Sequence, residues 1–376
     1  MIYFDNAATG GQKPDGVISS VTSSIKLCAN PGRSGHKLAL ACANLTQSCR
    51  RELCSFFDAY STERVIFTKN CTEALNIALF GVLQSGDHVI ATPMEHNSVL
   101  RPLEFLQKQG VITYDICPLA QGNVRADDIK KLLKKNTKLV AVTGASNVTG
   151  ATPPLEKIKQ ILPKNVLLLV DGAQSGGHIP LSMQKLGVDM LCLAGHKGML
   201  GIQGSGALLF SPRVNPTPRL YGGTGSMSVS LEMPDFYPDA LEAGTVAFPA
   251  IVSLLEGTRH LSVYFEQITK KIYALTQYLI NALKNLPIYQ VYSKPNPCGI
   301  VAFAHKNLQA EYLASVLSST YDIAVRGGLH CAPLMHNALA TQGGLVRVSF
   351  SHFNTTVEID ELVLALTALQ TATEEY

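Results

Sequence analysis

The sequence lacks the features of membrane-spanning and secreted proteins. No uninterrupted apolar stretch approaches the roughly 20 residues that a transmembrane helix needs. The chain starts MIYFDNAATG, without a basic segment or a long apolar run, so we expect no signal peptide. Its nine cysteines are irregularly spaced and include no CxxC pair, which argues against a disulfide framework. Together these absences predict a reducing, cytoplasmic compartment.

Charge is also scarce, and none of it is concentrated. Charged residues make up 16% of the chain, against about 25% in typical soluble proteins, and the net charge is +3. Lys and Arg are scattered rather than gathered into a basic stripe, so the sequence gives no support to nucleic-acid binding. With 376 residues, 46% of them hydrophobic, the chain is long enough for about two domains with a buried core.

What the sequence does contain is an alternation of short apolar runs and helical patterns. This alternation predicts a mainly parallel sheet covered by helices on both faces, with strands near residues 63–67, 88–91, 112–115, 139–143, 166–170, 190–193 and 207–210. From about residue 250, a long helix, paired strands and further helices indicate an α+β region. We predict an α/β fold with a large domain at residues 1–255 and a smaller α+β C-terminal domain at residues 256–376. Packing of the first 20 or so residues on the smaller domain is left open.

Polar residues follow the predicted strands, at the edge where open parallel sheets bind their ligands. Thr72 begins a helix, where its hydroxyl and the backbone amides could bind a phosphate or simply cap the helix. His96 could stack on a flat ring or move a proton, and Asn147 could bind a ring substituent. Each of these two residues could instead be structural, Asn147 by forming a turn.

The next two loops carry a carboxylate and a lysine. Asp171 ends a very apolar strand, so it needs a partner such as a protonated pyridine nitrogen or backbone amides. Lys197 lies among small residues and beside His196, and desolvation there would lower its pKa and favour Schiff-base chemistry. Because these groups follow successive strands, we expect an anion site, a ring stacker, an amide, a carboxylate and a lysine to share one crevice.

Several motifs resemble a known family. DNAATG at 5–10, TEALN at 72–76, MEHNS at 94–98, SNVTG at 146–150, DGAQ at 171–174 and GHK at 195–197 are similar to those of class V aminotransferases, which are fold-type I pyridoxal 5'-phosphate enzymes. RGGLHCAP at 326–333 resembles the RxGHHCA signature of group II cysteine desulfurases, and VRVSF at 346–350 resembles their substrate-carboxylate segment. The resemblance covers nearly the whole chain. It implies a pyridoxal-phosphate enzyme that converts L-cysteine to L-alanine.

The resemblance also implies roles for individual residues at the cofactor. Lys197 carries pyridoxal 5'-phosphate as a Schiff base and moves protons, Asp171 pairs with the ring nitrogen, and His96 stacks on the ring. The other implied cofactor contacts are Gln174 at the ring hydroxyl, Thr72 and His196 at the phosphate, and Cys71 and Asn147. Thr245 is expected to reach the phosphate of a second subunit, which implies a homodimer.

A second set of implied roles concerns the substrate. Arg347 binds the substrate carboxylate, with Asn147 and Arg326 close by, and Arg33 matches a family arginine at the active-site entrance. Cys331 accepts the sulfur as a persulfide, with either Arg326 or His330 activating its thiol, and a sulfur-acceptor protein is a possible partner.

The chain departs from the family pattern at two positions, where Leu329 replaces the first histidine of the signature and Gly32 replaces a common histidine. The alternatives are a selenocysteine lyase or cysteine sulfinate desulfinase, another class V β-lyase, epimerase or aminotransferase, and an inactive sulfur-carrier scaffold. A metal site at His330, Cys331 and His336 fits no standard ligand spacing, so no metal is predicted. Gly201, Gly204 and Gly206 do not form a dinucleotide-binding motif and favour a tight turn before a strand.

Overall fold

A computed structural model describes residues 1–27, 29–32 and 34–371 of the chain. The strands are β1 (Ile2–Tyr3), β2 (Val65–Thr68), β3 (Asp87–Ala91), β4 (Ile112–Ile116), β5 (Thr137–Thr143), β6 (Leu167–Asp171), β7 (Met190–Ala194), β8 (Gly206–Phe210), β9 (Tyr289–Val291), β10 (Ile300–His305), β11 (Ile323–Ala324) and β12 (Val346–Ser349). The helices are α1 (Asp15–Leu27), α2 (Lys37–Phe56), α3 (Cys71–Val82), α4 (Asn97–Lys108), α5 (Ala126–Leu132), α6 (Leu155–Ile161), α7 (Met183–Leu186), α8 (Phe248–Leu283), α9 (Ala310–Tyr321), α10 (Pro333–Leu339) and α11 (Thr356–Ala368). Short 3-10 turns lie at Thr62–Arg64 and Asp239–Leu241.

A seven-stranded sheet forms the centre of the molecule, in the order β2-β8-β7-β6-β5-β3-β4. Strands β3 to β7 pair in parallel, whereas β8 runs antiparallel to both β2 and β7. The predicted α/β fold with a mainly parallel sheet is therefore confirmed. The direction of β8 follows from its connection to β7, a short loop without a crossover helix, and parallel neighbours need such a crossover.

Alternating side chains of the central strands fill two separate cores. In β5, Val140 and Val142 join one core, while Leu139 and Ala141 join the other. Since successive side chains of a strand point to opposite faces, a near-continuous apolar run supplies both. This explains why the central strands read as unbroken apolar runs in the sequence.

The C-terminal part is built around an antiparallel sheet in the order β12-β10-β9, backed by a third apolar core. Helix α8 runs without a break through residues 255 and 256, the position of the predicted domain boundary. The N-terminal segment contacts two different elements: β1 pairs with β11, and α1 packs against α8. Among the residues that the structure describes, no helix is both long and apolar enough to cross a membrane.

Candidate active site

A crevice of about 500 Å³ lies at the carboxyl ends of the parallel strands. It is lined by the loops that follow β2, β3, β5, β6 and β7, the edge at which open α/β sheets bind ligands. The crevice gathers eight of the residues predicted from the sequence, namely Cys71, Thr72, His96, Asn147, Asp171, Gln174, His196 and Lys197.

Lys197 lies in a tight turn after β7. The turn contains Gly195 and Gly198, at positions where neighbouring atoms leave no room for a side chain. A Cβ atom at Gly195 would collide with Ser205, and one at Gly198 would collide with the carbonyl of Gly176. Burial lowers the pKa of Lys197, while the charge of Asp171 opposes that shift. The turn therefore holds the amine in a fixed place and makes its neutral, nucleophilic form more accessible.

Asp171 ends β6 with its carboxylate inside the crevice. It is 3% exposed, and its Oδ1 accepts hydrogen bonds from the Ala173 amide at 2.9 Å and the Cys71 thiol at 3.3 Å. Burial and the charge of Asp171 raise the pKa of Cys71 well above the usual range, so this thiol stays protonated and keeps donating. A buried carboxylate that accepts from these two neutral donors fits a cationic ring nitrogen as a further partner.

One end of the crevice is suited to a phosphate. The N-terminus of α3 points into it, with Asn70 as the N-cap and Thr72 in the first turn. The Thr72 hydroxyl lies 2.8 Å from Ser98 Oγ, and His196 Nδ1 lies 3.0 Å from the Thr9 hydroxyl. Burial, together with the charge of Lys197, lowers the pKa of His196 to about 4. This end therefore offers neutral donors and a helix N-terminus to an anion.

His96 caps helix α4 and lines the crevice. Its Nδ1 accepts a hydrogen bond from the Ser98 amide at 3.0 Å and lies 2.9 Å from Ser98 Oγ. Burial lowers the pKa of His96, although the charge of Asp171 opposes the shift. With Nδ1 accepting from an amide, the neutral ring carries its proton on Nε2.

Asn147 connects the crevice to the substrate residues predicted on the C-terminal strands. Its side-chain amide donates to the His330 carbonyl at 2.6 Å, and its own carbonyl accepts from Arg347 Nη1 at 2.9 Å. Arg347 is 1% exposed and also binds Asp5 at 2.9 Å, while its Nε atom is buried and has no hydrogen-bond partner among the described residues. The guanidinium thus retains donors for an incoming carboxylate.

Cys331 is exposed on the loop before α10, next to that clamp. His330 and Cys331 both have left-handed backbone conformations, with φ of 49° and 57°. Arg326 Nη2 lies 4.0 Å from the sulfur, a position from which its positive charge can stabilise a thiolate. Burial lowers the pKa of His330 to about 2, and its Nε2 lies 3.0 Å from the Leu345 carbonyl. Of the two groups proposed to activate the thiol, the geometry favours Arg326, because its Nη2 lies beside the sulfur whereas His330 is buried with its Nε2 at the Leu345 carbonyl.

Of the remaining predicted site residues, one lies elsewhere in the structure. Thr245 is exposed in a separate cavity of about 870 Å³, which Lys69 and Glu73 also line. Arg33 lies outside the described residues. Gln174 lines the crevice, but one of its amide N–H groups is already bound to the Ala7 carbonyl at 2.9 Å, which leaves the second for a ligand.

Sequence reasoning missed three residues that the site depends on: Asp5, Glu95 and Ser98. Glu95 and Ser98 flank His96 within the motif MEHNS, and Asp5 opens DNAATG, so a signal was available in all three cases. Among residues 1–27, 29–32 and 34–371, no cluster of three His, Cys, Asp or Glu side chains is arranged to hold a metal ion.

Known protein families, sequences and structures match this chain over nearly its full length. Residues 2–362 match the family described as Aminotransferase class-V. The chain is 32% identical to a probable cysteine desulfurase of Halalkalibacterium halodurans over 97% of this chain and 92% of that relative. It is 31% identical to the cysteine desulfurase of Pectobacterium atrosepticum over 97% and 92% of the two chains. Among solved structures, the apo cysteine desulfurase of Thermococcus onnurineus superimposes with a TM-score of 0.90 at 30% identity, covering 98% of this chain and 94% of that one.

Proposed function

The chain belongs to the class V aminotransferase family, and we propose that it is a pyridoxal-phosphate-dependent cysteine desulfurase that holds the released sulfur as a persulfide on Cys331. One observation carries this proposal. Lys197 and Asp171 share a crevice, and Asn147 joins that crevice to both a buried arginine clamp and the loop of an exposed cysteine. Aminotransferases need the first part of this arrangement, whereas sulfur transfer to the protein also needs the cysteine.

The residues of the crevice fit pyridoxal 5'-phosphate. Asp171 would bind the ring nitrogen, Gln174 the ring hydroxyl, and the α3 N-terminus with Thr72 and His196 the phosphate. The bound cofactor supplies an electron sink that stabilises negative charge on the substrate Cα. Lys197 holds the cofactor and moves the Cα proton, for which its lowered pKa makes the neutral amine available.

Substrate binding is assigned to Arg347. Its free Nε and remaining N–H groups can bind an α-carboxylate, while Asp5 and the Asn147 carbonyl hold the guanidinium in place. With the carboxylate fixed there, the β-sulfur of L-cysteine is directed towards the loop that carries Cys331.

The sulfur transfer needs no added oxidant or reductant, because the substrate carbon is reduced as the sulfur is oxidised to the persulfide level. The Cys331 thiolate attacks the substrate sulfur, so an S–S bond forms as the substrate Cβ–S bond breaks. L-cysteine and the Cys331 thiol become L-alanine and the Cys331 persulfide, with the substrate Cβ taking up a proton. Arg326, near the sulfur, stabilises the attacking thiolate.

We further propose that the working form is a homodimer in which Thr245 contacts the phosphate of the second subunit. The open cavity around Thr245 and the fully exposed side chains of Val229 and Leu231 nearby in sequence support this assignment. Sedimentation of the purified protein should give twice the chain mass of 40.4 kDa, and a monomer that binds the cofactor would contradict the role of Thr245.

The test of the proposed function is an absorption spectrum of the purified protein before and after L-cysteine is added, with alanine and sulfur measured in the same sample. We expect a visible band that changes with cysteine, together with equal amounts of alanine and released or protein-bound sulfur. A band that ignores cysteine but responds to selenocysteine or cysteine sulfinate would favour those substrates instead. No band after addition of pyridoxal phosphate would refute the cofactor assignment.

Two variants separate the roles of the lysine and the cysteine. Lys197→Ala should lose the visible band of lysine-bound cofactor and all turnover. Cys331→Ser should keep the band but form no protein persulfide, whereas Cys54→Ser, a matched change at another free cysteine, should still form it. Full persulfide labelling of Cys331→Ser would show that another cysteine accepts the sulfur.

A further inference from the structure

The loop between β3 and α4 contains a buried carboxyl group that the reaction does not use. Glu95 is 0% exposed and directly precedes His96. Its Oε1 accepts hydrogen bonds from the Thr92 hydroxyl at 2.7 Å and the Thr143 backbone amide at 2.8 Å. Thr143 is the last residue of β5 and pairs with Asp171 on β6. The carboxyl therefore ties the loop to the strand ends that form the floor of the crevice.

The second oxygen of Glu95 has a different environment. Oε2 is buried and has no hydrogen-bond partner among residues 1–27, 29–32 and 34–371. Burial raises the pKa of Glu95 to about 8, and the negative charge of Asp171, which faces it from β6, acts in the same direction. A buried, unpaired carboxylate beside a second carboxylate is costly, so the neutral acid is the stable form near neutral pH.

The same loop also reaches the proposed nucleophile. The residue after His96 is Asn97, and its backbone amide donates to the Cys331 carbonyl at 2.8 Å. Three consecutive residues thus connect the sheet, the crevice wall and the cysteine loop: Glu95 binds β5, His96 faces the crevice, and Asn97 holds Cys331. A shift of Glu95 would move both other contacts.

We propose that Glu95 is a positioning residue that works as a neutral acid, fastening the loop to β5 so that His96 is held against the cofactor and Cys331 beside it. The inference rests on the proposed function, because it takes the crevice to be the cofactor site. Ionised Glu95 would need solvation that its fully buried position does not provide, and movement of the loop away from the strand ends would provide it. Loss of the proton therefore weakens cofactor binding and frees the cysteine loop.

Glu95→Gln tests this because glutamine keeps the shape and the accepting oxygen but cannot ionise. We would measure the dissociation constant for pyridoxal phosphate and the rate of Cys331 alkylation by iodoacetamide across the pH range, for wild type, Glu95→Gln and Glu95→Ala. With a pKa of about 8, the neutral fraction of Glu95 falls roughly thirtyfold between about pH 7 and about pH 9.5. The matched control is Glu104→Gln, which changes a half-buried glutamate on helix α4.

At about pH 7 we expect Glu95→Gln to bind the cofactor within about twofold of wild type, and Glu95→Ala to bind it roughly tenfold more weakly. Towards about pH 9.5, wild type should lose roughly tenfold or more in affinity relative to Glu95→Gln, and its Cys331 should become easier to alkylate. The pH dependence of cofactor affinity and that of Cys331 alkylation should each be the same in Glu104→Gln as in wild type.

Superimposed pH profiles of wild type and Glu95→Gln would overturn the role assigned to Glu95. So would a Glu95→Gln protein as weak as Glu95→Ala at about pH 7, because that result would mean that the ionised form is required. Failure of wild type to bind pyridoxal phosphate at any pH would refute the proposed function instead, so the two failures are distinguishable.

Discussion

Replacing Arg50 by alanine should destabilise the protein strongly, although this residue lies outside the crevice. Arg50 and Glu242 form a bidentate ion pair at 2.9 and 2.6 Å, with side chains only 6% and 8% exposed. Glu242 also accepts the Phe67 amide at 2.6 Å, and the Arg50 guanidinium lies 4.4 Å from the centre of the Phe67 ring. The pair attaches the segment that leads to Thr245 onto strand β2.

The expected loss in the free energy of unfolding depends on whether a substitution leaves a buried charge without its partner. Arg50→Ala leaves the Glu242 carboxylate buried with the Phe67 amide as its donor but without its cation, and removal of one partner of a buried pair costs about 3–5 kcal/mol. A double replacement, Arg50→Leu with Glu242→Leu, removes both charges and should cost less than Arg50→Ala alone, because neither ion is left unpaired. The free energy of unfolding would be measured by urea denaturation of the cofactor-free protein.

The matched control is Arg259→Ala. Arg259 is 45% exposed and pairs with Glu52 and Glu256, so its removal should cost no more than about 1 kcal/mol. If Arg50→Ala cost as little as Arg259→Ala, or if the double replacement cost more than Arg50→Ala, the burial argument for this pair would be wrong. Since the pair holds the segment before Thr245, Arg50→Ala should also shift any dimer towards monomer.

Three further predictions concern the site. Arg347→Gln should lower kcat/KM for L-cysteine roughly 10–100-fold, because it removes a charged hydrogen bond worth about 1.5–3 kcal/mol. The affinity for the cofactor should be largely retained. Unchanged kinetics would show that Arg347 does not bind the substrate. Cys71→Ala removes a thiol donor from Asp171 and should shift the pH midpoint of the cofactor's visible band; a superimposable titration would show that the thiol does not influence the ring. Because the pKa of Glu95 rises from its usual 4.5 to about 8 on folding, the neutral acid stabilises the fold at low pH. This contribution, about 5 kcal/mol at most, should be lost as pH rises from about 4.5 to about 8, and Glu95→Gln should lack that loss in urea unfolding.

The sequence predicted the crevice well because the residues that form it belong to loops that follow local, strongly apolar strands. Asp171 and Lys197 could be placed side by side once their strands were taken as neighbours in a parallel sheet, and β6 and β7 are adjacent. The strand direction of β8 was not foreseen in the same way, because an apolar run has the same composition in either direction. Only the connection before it, too short for a crossover, determines that direction.

Contacts between distant parts of the chain were harder to predict from the sequence. Arg347 was predicted to bind a carboxylate, but its partner Asp5 lies at the other end of the chain, and no local pattern links the two. The neutral state of Glu95 depends on complete burial and on the charge of Asp171, which are properties of the assembled site. Similarly, the choice of Arg326 over His330 beside Cys331 required the burial of the histidine ring.

The pairing of β1 with β11 has a consequence for the order in which the protein forms during synthesis. Ile2 is made long before its partner Ile323, and Asp5 likewise has to wait for Arg347. All strands of the central sheet are made earlier, so the lysine crevice can assemble while the substrate clamp and the cysteine are still missing. We therefore expect a nascent chain to acquire its cofactor site first, and to become able to handle sulfur only after the segment from Ile323 to Arg347 has been made.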